Sequence, residues 1–517
     1  MAATFAGRLI SLLSLAVLAR LLSPDDFGLL AFALVFLGYL ESVGDLGTGA
    51  ALVYWPQRWR EVAQLTFLAN LLMGLVWMGV TLAAAPAVAG FFGRPESEQI
   101  LQVLALVIPL KALGTTHDAL LQRELRFRTR MVPEVGLIAT KAVVALALAL
   151  MGFGVWSLVW GQVAGQALCT LLLWILEPWR PGLFLPRGLI RPVVEYGRGI
   201  VGVNVLAAVI HHVDIVIVGR MFSTAVLGLY QMAYRVPDMA VTLLVRITSK
   251  VLFPALSRLR GSGGQLRNFY LPALRYLSLL TVPTTLGLAA LAEPMVLTLF
   301  GEQWAGSVPI LRVIALYAGI RALGTYAGDL MKATGRPGLL ALLGTARAVV
   351  LVPVLVVAGT HSALAVAIAL TAETILSTAL YLGVAGHFLR VGWGETFEAL
   401  KPSLLGSVPL LAFLLLWILV ARDLPDAVEL LGGCVLGAGL YLFSVRAVAP
   451  DTFRKVVEAL GSAFSHQTPR RASTPAQGRS PDPTPASTFP ATGRLVLPSG
   501  GAPSVPFQDP SHPVSRS

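Results

Sequence analysis

The chain has little charge for its length. Of 517 residues, only 13% are Asp, Glu, Lys or Arg, about half the share of an ordinary soluble domain. That is too little polar surface to cover one large water-soluble core, so such a core is excluded. Cysteine is nearly missing. Cys169 and Cys434 both fall in apolar stretches, which leaves no disulfide framework and no metal-ligand spacing. No loop of the form GxxxxGK[ST] occurs, so ATP is not expected as a direct energy source. The net charge is +12, but the basic residues are spread over short segments rather than gathered in one patch, which argues against nucleic acid as a partner. His211-His212 beside Asp214 invites a metal reading. Neighbouring helical residues face different ways, so the pair is poor chelating geometry, and histidines lining a cavity or an interface are expected instead. No cofactor is implied.

What the chain has in abundance is apolar sequence, 56% of it, in runs such as Leu404–Val420 and Val349–Val357. Segments near 20 residues match the hydrocarbon thickness of a bilayer. The length criterion gives an all-α polytopic membrane protein of about fourteen spans: 2–22, 27–52, 62–90, 98–121, 134–153, 155–177, 196–219, 224–250, 271–299, 307–330, 337–359, 361–388, 403–421 and 426–446. The first span runs on into further membrane segments and reads as an anchor, not a cleaved signal. Eighteen basic residues, among them Arg58, Arg126, Arg130, Arg180, Arg258 and Lys401, fall in the loops after even-numbered spans or at the span ends that border them. Only Arg20, Arg94, Arg220 and Arg422 fall in or beside loops after odd-numbered ones. This bias places both termini in the cytoplasm. After Pro450, Phe453, Val456, Val457, Leu460 and Phe464 recur at helical spacing, which predicts an amphipathic helix on the membrane surface. From Ser465 on, Pro, Ser, Thr and Gly dominate, and such a tail cannot bury a core.

The sequence also repeats itself. Ile100–Leu120 (ILQVLALVIPLKALGTTHDAL) matches Ile310–Leu330 (ILRVIALYAGIRALGTYAGDL) at ten of twenty-one positions. Arg20, Ser23, Gly28, Leu29 and Ala33 match Arg220, Ser223, Gly228, Leu229 and Ala233. Pro86, Val88, Phe92 and Gly93 match Pro294, Val296, Phe300 and Gly301, and Lys141–Val144 matches Arg347–Val350. Each pairing shifts by six spans. An even shift preserves orientation, so the repeat is parallel, and paired halves of this kind enclose a cavity and rock against each other. The expected organisation is a first six-helix half (1–177), a second (178–388), two additional helices (389–446), the amphipathic helix (447–464) and the disordered tail (465–517).

Four motifs carry a resemblance: Ala19-Arg20-Leu21-Leu22-Ser23-Pro24-Asp25-Asp26-Phe27-Gly28, Asp45-Leu46-Gly47, Leu252-Phe253-Pro254-Ala255-Leu256-Ser257-Arg258-Leu259 and Leu299-Phe300-Gly301-Glu302-Gln303-Trp304. Together they resemble the bacterial polysaccharide exporters and O-antigen flippases of the Wzx type, in the multidrug/oligosaccharidyl-lipid/polysaccharide (MOP) superfamily, over nearly all of residues 1–450. The first segment is shorter than is usual there, and the proline-rich tail is not a family feature. The resemblance implies the MOP flippase fold and transport, in the bacterial inner membrane, of a polyprenyl-diphosphate-linked oligosaccharide from the cytoplasmic to the outer leaflet. Membrane lipids, and a polymerase and glycosyltransferases of the same pathway, would be its partners, and the chain would act as a monomer.

Ionisable residues inside membrane helices are costly and mark cavities. Lys111 and Arg321 hold equivalent places in the repeat, as do Lys141 and Arg347, so all four are expected to line one central chamber and bind a diphosphate. Arg235 and Arg8 are further candidates. The competing reading pairs each cation with a helix carboxylate or draws it to the headgroup region. Glu41 and Asp45, four apart on one face, are candidates for ion coupling; the alternative is a helix-end pair salted to a neighbouring arginine. Two other functions remain: a drug or peptidoglycan-precursor exporter of the same superfamily, or a membrane enzyme such as a polysaccharide polymerase or lipid-dependent glycosyltransferase. The odd-numbered loops are too short to house a large extracytoplasmic site, which weighs against an enzyme.

Overall fold

The structure, a computed structural model, describes residues 2–44, 52, 58–182, 187–258, 263–334, 336–450 and 453–454. Its helices are α1 (Ala2–Leu21), α2 (Pro24–Gly44), α3 (Trp59–Phe92), α4 (Glu96–Arg123), α5 (Phe127–Leu150), α6 (Val155–Leu176), α7 (Arg187–Met221), α8 (Thr224–Arg258) and α9 (Gly263–Ala290). Then come α10 (Val308–Ala333), α11 (Pro337–Gly359), α12 (Ala363–Leu389), α13 (Trp393–Val420) and α14 (Asp426–Val448). Among the described residues, ten helices are long and apolar enough to cross a membrane. Their outward faces carry side chains such as Leu419 and Val435, 73% and 69% exposed. Only a lipid surrounding makes that coverage favourable. The chain is a multi-pass membrane protein.

Several helices outrun the predicted spans. α7 has 35 residues, roughly 50 Å at 1.5 Å per residue, against about 30 Å of hydrocarbon. Arg187, Arg191 and Arg198 on α7, Arg267 and Arg275 on α9, and Lys401 on α13 are therefore helical rather than loop residues. The predicted span 271–299 is broken after Ala290 and resumes as a short helix, Ala292–Leu299. α4 is likewise interrupted at Ala105-Leu106. Residues 45–50, the tail, and 451, 452 and 455–464 of the predicted amphipathic helix lie outside the described residues; of the rest of that segment, 447 and 448 end α14, and Phe453 and Arg454 are helical.

The repeat is visible as paired local structure. Ser23 and Asp26 cap α2: the Ser23 backbone N–H and hydroxyl donate to Asp26 Oδ2 at 2.9 and 2.7 Å, and the Asp26 N–H donates to Ser23 Oγ at 3.3 Å, a reciprocal capping arrangement. Ser223, its counterpart, accepts from the Val226 N–H at the start of α8. Gly93 and Gly301, also counterparts, both hold positive φ, +67° and +98°, a region open to glycine at little cost. The shared Ala-Leu-Gly-Thr run makes the same joint twice. Gly114 lets α6 approach α4, where the Thr170 hydroxyl donates to the Leu110 carbonyl at 2.7 Å. Gly324 lets α12 approach α10, where Thr378 donates to the Ile320 carbonyl at 3.3 Å. Gly161 and Gly165 on α6 pack against the α5 backbone at Lys141, where a Cβ on either would come to about 3 Å. Small residues four apart bring membrane helices this close.

At the end of the bundle where α1 turns into α2 and α7 into α8, the two repeats meet. A Cβ on Gly28 would lie 2.0 Å from the Thr224 carbonyl oxygen, and one on Gly228 would lie 1.9 Å from that of Pro24. α2 and α8 therefore touch through backbone, at equivalent residues of the repeat. Thr224 donates a hydrogen bond to Asp25 across the contact. The fully buried Trp304 donates from Nε1 to the Ala19 carbonyl at 2.8 Å, with its ring edge-to-face on Phe27 at 5.2 Å. Arg94 reaches the Phe222 carbonyl at 2.8 Å, and Arg20 the Thr298 carbonyl at 2.6 Å.

Candidate functional site

Beyond that contact lies a cavity of about 780 Å³ walled by α2, α4, α7, α8 and α10. The α2 wall is apolar, from Phe27 through Leu30 and Leu34 to Gly38. The rest of the lining carries Lys111 from α4, His211 and His212 from α7, Gln231, Tyr234, Arg235 and Asp238 from α8, and Tyr317 and Arg321 from α10. The lining thus offers both hydrocarbon and cations.

The structure brings Lys111, Arg235 and Arg321 to one chamber. Arg321 donates from Nη2 to Asp238 Oδ1 at 2.6 Å, and its guanidinium sits 5.5 Å from the centre of the Tyr317 ring. The backbone beneath each repeat-related cation is braced alike: Thr115 donates to the Lys111 carbonyl and Thr325 to the Arg321 carbonyl, both at 2.9 Å. Arg8, on α1, donates to the carbonyl of Met239 at 3.0 Å, itself a wall residue. It stands beside the chamber, not in it.

The other repeat-related pair lies elsewhere, and the expectation of four cations in one chamber is revised accordingly. Arg347 donates from Nε to Glu373 at 3.1 Å and from Nη2 to Thr374 at 3.0 Å. With side chains 11% and 6% exposed, Arg347 and Glu373 form a buried pair between α11 and α12. With Thr170 matching Thr378, the position in α6 that answers to Glu373 is Gly165. α6 consequently packs directly on Lys141, and Lys141 is not on the chamber wall. The symmetry of the cations in sequence is broken by an acid present in one repeat and a glycine in the other. The side chain of Glu41, and Asp45 altogether, lie outside the described residues.

Two acids of the site were not singled out from sequence. Asp238 is three residues after Arg235 in R-V-P-D, and a charge pair inside an apolar stretch is the signal that could have found it. Asp214 drew notice only beside the two histidines. It is 2% exposed and accepts from the Tyr230 and Tyr234 hydroxyls at 3.0 and 2.6 Å. Among the described residues, no group of three or more His, Cys, Asp and Glu side chains is placed to hold a metal. A second cavity of about 440 Å³, almost wholly apolar, lies between α9, α13 and α14.

Residues 17–309 match the family described as "Polysaccharide biosynthesis protein". The succinoglycan biosynthesis transport protein ExoT of Rhizobium meliloti (strain 1021) is 27% identical over 458 residues, covering 86% of this chain and 90% of that protein. The lipopolysaccharide biosynthesis protein WzxC of Escherichia coli (strain K12) is 26% identical over 367 residues, covering 68% and 72%. The lipid II flippase MurJ in an inward closed conformation superposes with a TM-score of 0.73 at 14% identity, covering 88% of this chain and 98% of that one. An inward-facing multidrug resistance MATE transporter of the MOP superfamily superposes at 0.64 with 14% identity, covering 74% and 94%. The fold is that of the MOP flippases, and with its family match spanning more than half of the residues, the chain belongs to the polysaccharide biosynthesis protein family.

Proposed function

We propose that the protein is a flippase, without catalytic chemistry, for a polyprenyl-diphosphate-linked oligosaccharide in the bacterial inner membrane. The observation that carries this reading is the chamber whose lining joins Lys111, Arg235 and Arg321 with the hydrocarbon side chains of α2. A diphosphate must shed water to cross the bilayer, and fixed cations in a protein-walled chamber lower that cost. Arg321 offers two parallel donors to a phosphate. To take one it must release Asp238, so headgroup and carboxylate compete for the same guanidinium. With the even-numbered loops and both termini in the cytoplasm, the α2–α8 contact closes the outer side and the chamber serves the cytoplasmic leaflet. Rocking of residues 1–177 against 178–388 then separates α2 from α8 and delivers the headgroup outside.

The test is flipping of a fluorescent polyprenyl-diphosphate oligosaccharide in proteoliposomes. Lys111→Ala and Arg321→Ala are each expected to abolish flipping at unchanged expression, with Arg321→Lys retaining part of it. Wild-type rates in both alanine variants would overturn the reading.

A further inference from the structure

The two repeats close one helix in the same way but with different residues. α4 ends at Arg123, and the N–H groups of Leu125 and Arg126 donate back to the Gln122 and Leu121 carbonyls at 3.1 and 3.0 Å. Such a pair of bonds ends a helix on a left-handed residue, ordinarily glycine. In the second repeat the Arg336 N–H donates to the Met331 carbonyl at 2.9 Å, and Gly335 is the residue that answers to Leu125. Leu125 holds φ +56° and is 70% exposed. A side chain in that region carries a cost that glycine escapes, and in water an exposed leucine returns nothing for it. Phe127 follows, 54% exposed, where the second repeat has Pro337.

Arginines surround this turn, and acids take three of them. Glu61 pairs with Arg58, Asp118 with Arg130, and both Glu124 and Glu177 with Arg126. Among the described residues, neither Arg60 nor Arg128 forms an ion pair. Arg60 and Arg123 both lie over the Trp59 ring, 5.4 and 5.0 Å from its centre. Trp59 in turn packs on Leu52, Val62, Ala63 and Leu120. Arg123 thus joins the turn to the start of α3. The corner sits at the ends of three helices apolar enough to cross a membrane, α3, α4 and α5, which is the depth of lipid headgroups. That depth favours a lipid over a soluble protein as the occupant. Acyl chains accept Leu125 and Phe127, and a phosphate accepts from guanidinium groups. Arginines in excess of acids select lipids of negative charge.

We propose that Trp59, Arg60, Arg123, Leu125, Phe127 and Arg128 form a binding site for an anionic phospholipid, in the leaflet on the side of the even-numbered loops. Leu125 and Phe127 enter the acyl layer, and Arg60 and Arg128 hold the phosphate. The second repeat, with Gly335 and Pro337 in their places, lacks both side chains, so the lipid is held by the first repeat alone. The site lies apart from the chamber and does not rest on the flippase reading.

The test uses the full-length protein in phosphatidylcholine vesicles. Gln122→Cys, beside the turn, carries a bimane, with Cys169→Ala and Cys434→Ala removing the other thiols. Brominated phosphatidylglycerol or brominated phosphatidylcholine is added at equal mole fraction, and quenching reads the lipid at the corner. Phosphatidylglycerol is expected to be preferred about tenfold or more. One arginine near an anionic surface is worth about fivefold in binding. Arg60→Gln and Arg128→Gln should therefore each cut the preference by up to that factor, and together erase it. Leu125→Gly should be quenched less by both lipids without a lower unfolding temperature, because glycine fits φ +56°. Equal quenching by the two lipids, or a preference unchanged in the double arginine variant, overturns the proposal. A Leu125→Gly protein quenched as fully as its parent does so too. A probe that neither lipid reaches also overturns it, and would give the corner to a soluble partner instead.

Discussion

The backbone contact between Gly28 and Gly228 sets a sharp test of how the chamber is closed. An alanine at Gly28 would put its methyl 2.0 Å from the Thr224 carbonyl oxygen and 2.8 Å from the carbon. Close carbon–oxygen contacts between elements sit at about 3.3–3.6 Å. α2 and α8 must therefore separate by more than about 1 Å at their closest point, and a neighbouring backbone cannot swing aside as a side chain can. Overpacking of this kind costs about 1–3 kcal/mol. If the cost falls only on the conformation in which the helices touch, the population of that state drops about 5- to 150-fold. The assay is oxidative cross-linking of Asp25→Cys with Thr224→Cys, whose native side chains are hydrogen-bonded across the contact. Gly28→Ala and Gly228→Ala should each lower the cross-link yield, and a chamber cysteine at Leu34 should become reactive from the outside. The double variant should do less than the sum of the two, because both act on one crossing point. Unchanged cross-linking and unchanged Leu34 reactivity in a well-folded Gly28→Ala protein would refute the reasoning.

Glu373→Ala leaves Arg347 buried and unpaired, so a loss of about 3–5 kcal/mol is expected, read as a lower unfolding temperature. Arg347→Met in that background should recover much of it, and a Glu373→Ala protein as stable as wild type would count against a buried pair. Trp304→Phe removes the Nε1 bond to Ala19 and part of a fully buried indole, so the loss should exceed the about 1 kcal/mol of the bond alone and lower the unfolding temperature; no shift would count against a buried, bonded indole. A cysteine at Arg126 should be labelled from the cytoplasm alone, and labelling from outside would reverse the orientation. Cutting the chain after Ser465 should leave membrane expression intact, and loss of folded protein would refute a dispensable tail.

The sequence by itself determined the solvent of this protein and much of its plan. Apolar runs of bilayer length leave no alternative to membrane helices, because backbone groups in hydrocarbon must be satisfied within the segment. Ser23-Pro24-Asp25-Asp26 and its echo at Ser223 mark helix starts, since capping needs only neighbours in the chain. The repeat paired Lys111 with Arg321, and the fold sets both on the lining of one chamber. What the sequence could not determine is where a cation finds its acid. Arg347 and Lys141 look alike in the repeat, yet Arg347 meets Glu373 and Lys141 meets a glycine of α6. Those partners lie a full helix away in the chain, and their meeting depends on how α11 rotates against α12. Asp238 under Arg321, and Asp214 under two tyrosines, came from tertiary structure for the same reason. The sequence shows that a charge lies within the membrane segment, but which face of the helix carries it, and what packs opposite, is decided only when the helices close on one another.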